Sequence, residues 1–78
     1  LLSRMVHDIG DYFLTEGKRL LDDSPPNNSA AYHRLNWARK LFHRYSELEK
    51  VSMKKELAEV NQLREEVEEE LKSSSDEE

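Results

Sequence analysis

Between Ser29 and Ser73 the chain carries neither glycine nor proline. That run constrains the fold more than any other feature. Ala, Leu, Arg, Lys, Glu and Gln dominate it, and these residues lose little conformational freedom in a helix. One unbroken helix of this length would measure roughly 65 Å at about 1.5 Å per residue. The rest of the 78-residue chain is too short to cover it.

The residues before the run predict a shorter helix over 2–21. Leu2, Met5, Val6, Ile9, Phe13 and Leu20 recur at spacings of mostly three and four, with Leu1, Tyr12 and Leu21 beside them. Such spacing places them on one helical face. Gly10 and Gly17 interrupt this helix and lie nearly on one stripe, seven residues apart. They read as tolerated weak points, each costing up to about 1 kcal/mol relative to Ala, or as places where another helix approaches closely. The segment 22–29, DDSPPNNS, ends the first helix. Proline cannot continue a helix, and it biases the residue before it out of the helical region. Ser29 is the expected cap of the second helix. A connection this short sets the two helices antiparallel.

The long run holds two apolar stripes, Ala31, Leu35, Ala38, Leu41, Phe42, Tyr45 and Leu48, then Met53, Leu57, Val60, Leu63, Val67 and Leu71. Arg64 stands where the second stripe calls for a hydrophobe. From Leu48 to Met53 the step is five residues instead of three or four, which is a stutter in one helix or a bend. The expected fold is all-α: a helical hairpin whose long second helix, 30–72, overhangs the first like half a coiled coil. The alternative is a compact three-helix bundle with a bend near 49–53 and Ser52 capping the third helix. Residues 1–72 form one module, and the acidic, serine-rich tail 73–78 is expected to be disordered.

Charge is abundant, at 37% of residues against 36% hydrophobic, which suits an exposed helical assembly better than a compact enzyme. It is also uneven. Between Ala30 and Tyr45 stand Arg34, Arg39, Lys40 and Arg44 with no acid, whereas Lys54 to Lys72 holds seven Glu against four bases. A rod of that polarity favours antiparallel pairing. Cysteine is absent, which excludes disulfides and thiolate metal sites. The apolar runs are too short to span a membrane, no secretory pattern opens the chain, and both ends read as segment boundaries. An intracellular protein, nuclear in preference to cytoplasmic, is the expectation.

Little in the chain suggests catalysis. There is no phosphate-binding loop and no nucleophile with a neighbouring base, so neither enzyme activity nor a cofactor is expected. His7 and Asp11 are too few to hold a metal, and His33 and His43 read as surface residues. The most distinctive stretch, Tyr32 to Tyr45, interleaves aromatics with cations. Its expected role is to meet a protein, through Trp37, Arg39, Lys40 and Arg44, since Trp and Arg are enriched among interface hot spots. Met53, Leu57, Val60, Leu63 and Val67, left without an intrachain partner on the overhang, complete the expected partner-binding set. A homodimer, or a complex with a helical or acidic segment, would cover them. Two other readings stand beside it: a monomeric three-helix adaptor binding a short peptide, and a small nucleic-acid-binding domain using the basic face of 33–44. Ser73, Ser74 and Ser75 each precede an acid by three residues, a pattern that resembles substrates of acidophilic kinases of the casein kinase 2 type.

Overall fold

In the computed structural model, which describes residues 2–76 and their side chains as far as Ser73, the chain is all-helical. The elements are α1 (Leu2–Asp22), α2 (Asn28–Glu49) and α3 (Lys54–Asp76). The described molecule is 46 Å long, short of the roughly 65 Å that an unbroken helix over the long run requires. The expected continuous helix over 30–72 is therefore replaced by its alternative, three helices, with the reversal at residues 50–53.

Local chemistry explains the break although no glycine marks it. Lys50 takes the left-handed conformation, φ 53° and ψ 42°, and its N–H donates to the Ser46 carbonyl. The Val51 N–H reaches the same carbonyl at 3.2 Å, so the last turn of α2 closes in a Schellman arrangement. Ser46 adds a second tie, its hydroxyl donating to the Val51 carbonyl at 2.7 Å. On the far side the Ser52 hydroxyl accepts from the Lys54 N–H at 3.3 Å, and the Met53 carbonyl accepts from the Leu57 N–H at 2.8 Å, which starts α3.

The α1–α2 connection is tied in a similar way. The Asn27 N–H donates to the Leu20 carbonyl at 3.0 Å, and the Asn27 side chain accepts from the Ala30 N–H at 3.3 Å. The cap of α2 is thus Asn27 and not the expected Ser29; the helix begins one residue before that serine, which leaves Ser29 inside the first turn. At the other end, α3 continues to Asp76, past the expected end at 72. Glu77 and Glu78, and the side chains of Ser74 and Ser75, lie outside the described residues.

Helix α2 is the centre of the molecule. Ala31, Leu35 and Ala38 are fully buried along it and Phe42 nearly so, and both neighbours pack against it. From α3 and the turn before it come Met53, Val60 and Val67, spaced by sevens, with Leu57, Leu63 and Leu71 packed at their edges. From α1 come Gly10, Leu14, Gly17 and Leu20. The stripe expected to face inward on α1 largely does not: Leu2, Met5 and Ile9 are exposed, and the helix is turned by less than one residue step of about 100°. The glycines are the reason. A Cβ at Gly10 would lie 3.2 Å from the Leu41 Cβ and from the Phe42 ring, and one at Gly17 would lie 3.0 Å from Leu35. The two helices approach where α1 has no side chains, so the reading of Gly10 and Gly17 as tolerated weak points gives way to close packing.

Candidate interaction surface

Two stripes of α1 and α2 flank the line where these helices meet, on the side away from α3. On α1 the stripe is Leu2, Met5, Ile9 and Tyr12, at steps of three and four. It is 77%, 57%, 45% and 59% exposed in that order. On α2 it is Arg34, Trp37, Leu41, Arg44 and Leu48, at the same spacing, with Trp37 and Leu48 about half exposed. Phe13 joins the two stripes: its ring stacks on Trp37 at 6.3 Å between centroids, with Tyr12 edge-on to it at 5.8 Å. Gly10, against Leu41, brings the stripes together further along. The result is a largely apolar surface, edged by Arg34 and Arg44, that the described residues leave uncovered.

Its electrostatics are one-sided. The α1 acids beside it are paired with their own neighbours, Asp8 with Arg4 at 3.7 Å and Glu16 with Arg19 at 2.8 Å. On α2, Arg34, Lys40 and Arg44 are exposed. Among the described residues no carboxylate lies within ion-pair distance of these three. The Lys40 ammonium sits 5.1 Å above the Trp37 ring, a cation–π contact that holds the charge at the rim of the apolar surface.

The expected partner-binding residues separate into three groups. Trp37, Lys40 and Arg44 belong to this surface. Arg39 does not: it is half-buried on the Asn36 side of α2, which meets α3, and its Nε is buried with no hydrogen-bond partner. Met53, Val60 and Val67 are buried, and Leu57 and Leu63 pack beside them, so α2 supplies the intrachain partner that the hairpin lacked. The polarity of the long run, which suggested pairing between molecules, is expressed within one chain, because α3 folds back with its acidic end beside the start of α2. There the Tyr32 hydroxyl donates to Glu68 at 2.6 Å. Arg64, out of place in the sequence pattern, donates from Nε to Asn36 Oδ1 at 2.6 Å and lies 5.7 Å over the Tyr32 ring. Lys18 and Glu59, at 2.7 Å, link α1 to α3.

The basic face of 33–44 is divided as well. Arg39 faces α3, and His43 Nδ1 lies 3.6 Å from Glu47. His7 pairs with Asp8, its Nδ1 3.4 Å from the Asp8 carboxylate, and its ring meets Tyr45 and Phe42 edge-on at 4.9 and 5.9 Å. Among the described residues no three His, Asp or Glu gather as metal ligands, and no helix is long and apolar enough to cross a membrane. A cleft at the α2–α3 turn is lined by His43, Ser46, Ser52, Met53, Leu57 and Asn61. The Ser46 hydroxyl there is held by the Val51 carbonyl.

Sequence reasoning missed Leu14 in the core and the exposure of Leu2, Met5, Ile9 and Tyr12. The signal was present as Gly10, Leu14, Gly17 and Leu21, at steps of four, three and four. Reading the glycines as the contact line puts Leu14 inside and the larger stripe outside. Compared with family models, curated proteins and solved structures, the chain has no significant match.

Proposed function

We propose that this chain is a noncatalytic protein-interaction module that receives a helix of another protein on the α1–α2 surface opposite α3. The observation that carries this reading is the uncovered stripe Leu2, Met5, Ile9 and Tyr12 beside Trp37 and Leu48. Large apolar residues scattered singly need no explanation, but a contiguous set rimmed by charge is how interaction sites present themselves. A docked helix would turn three packed helices into four, removing apolar area from water at about 25 cal/mol per Å². Trp37 is the natural anchor, being large, half-exposed and braced by Phe13. The seat of binding proposed here differs from the stripe expected on the long helix, because α2 already covers that stripe.

The test uses Trp37 as reporter. Titrating the protein with an amphipathic helical peptide bearing leucines at i, i+3, i+4 and i+7 should shift Trp37 emission to the blue. The variant Met5→Gln/Ile9→Gln should lose that shift while keeping its melting temperature, since both side chains are exposed. Binding that is indifferent to these substitutions would remove the surface from consideration.

A further inference from the structure

Resting on that reading, we infer that the partner is an acidic amphipathic helix. The inference comes from the charges around the surface. Within α2 there is no acid before Glu47, whereas Arg34, Lys40 and Arg44 lie on or beside the stripe that borders the apolar surface. All three are exposed, and among the described residues none has a carboxylate within ion-pair distance. This is unusual for a chain of net charge −5, whose remaining charged residues supply acids in excess. The acids of α1 on the opposite rim are already paired with Arg4 and Arg19. A partner therefore meets one edge that is neutralised and one edge, along α2, with three unmatched cations. A helix carrying glutamates or aspartates beside its apolar stripe satisfies both the apolar floor and the basic edge. A basic helix would place like charges opposite Arg34, Lys40 and Arg44, and like-charge juxtaposition is how interfaces reject wrong partners.

The same charges argue against a second copy of the chain as occupant. Its own uncovered surface carries the same three cations, and its rim acids on α1 are already engaged. The acidic part of α3 cannot serve either, because its apolar stripe, Val60 and Val67, is buried against α2 and its Glu68 is held by Tyr32. The floor from Leu2 to Phe13, exposed as far as Tyr12, rises over roughly 17 Å. The matching partner stripe is thus three to four helical turns long, with acids on the side that faces α2.

The experiment compares two helical peptides with one leucine stripe, flanked by glutamates in the first and by lysines in the second. Binding is followed by Trp37 fluorescence and by calorimetry, at low salt and at high salt. Exposed ion pairs are individually modest, and three of them together should favour the glutamate peptide by about tenfold at low salt. The preference should shrink at high salt, where the screening length falls to about 3 Å near 1 M. The variant Arg34→Glu/Lys40→Glu/Arg44→Glu should reverse the order of the two peptides and keep its helical circular dichroism. Equal binding of both peptides, abolished by Met5→Gln/Ile9→Gln, would overturn the acidic partner and leave the docking surface standing. Failure of both peptides, with concentration-dependent sedimentation that Met5→Gln/Ile9→Gln abolishes, would overturn it in favour of a second copy. Failure of both peptides with a monomer at every concentration would overturn the surface itself.

Discussion

Replacing Lys50 with glycine should stabilise this protein, although glycine is the poorest helix former after proline. Lys50 sits at φ 53° and ψ 42°, where a side chain with a Cβ crowds the backbone. That conformation costs a residue other than glycine roughly 1–2 kcal/mol. Glycine removes the crowding but adds freedom to the unfolded chain, which takes back about 0.4–1 kcal/mol. The net expectation is a gain of about 0.5–1 kcal/mol. Were the helix continuous through this position, the same substitution would cost about 0.5–1 kcal/mol, by the loss of helix propensity. The two architectures therefore predict opposite signs. In a domain of this size 1 kcal/mol moves the midpoint by about 4–8 °C, so the three-helix form should melt about 2–8 °C higher as Lys50→Gly. Urea titration should show a higher midpoint with an unchanged slope, since the surface exposed on unfolding is the same. A lower midpoint by either measure would refute the reversal at residues 50–53.

Two further substitutions test the packing on either side of α2. Gly17→Ala should destabilise, because its Cβ would lie 3.0 Å from Leu35, which is fully buried and has no room to give way, so about 1–3 kcal/mol of overpacking outweighs the up to about 1 kcal/mol that alanine gains in helix propensity; a stabilised protein would mean that α1 stands off from α2. Val60→Ala, at a fully buried position, should cost about 2–3 kcal/mol in thermal or urea unfolding, and the loss should not change with protein concentration. A loss that fades on dilution would mean that α3 packs against another molecule.

Much of the architecture was legible in the chain itself. A run without glycine or proline, rich in strong helix formers, favours helix over most of 29–73 on local grounds, and all of it but the reversal at 50–53 is helical. The segment DDSPPNNS stops the first helix for reasons equally local. The stripe Met53, Val60 and Val67 was marked as needing a partner, and it has one in α2. Three things were decided only by tertiary packing. One is the break at Lys50, where the local signals, a serine at 46 and another at 52, are too common to announce it. The left-handed residue costs roughly 1–2 kcal/mol, but folding α3 back buries Met53, Val60 and Val67 at about 1.5–3 kcal/mol each, so the long-range gain outweighs the local cost. Another is the place of Arg64, out of pattern on its own helix yet satisfied by Asn36 and Tyr32 from α2. The last is which face of α1 turns inward. Periodicity ranks faces by how apolar they are, whereas packing ranks them by how closely two backbones can approach. Gly10 and Gly17 won that contest against Leu2, Met5 and Ile9, and the same choice left the interaction surface in water.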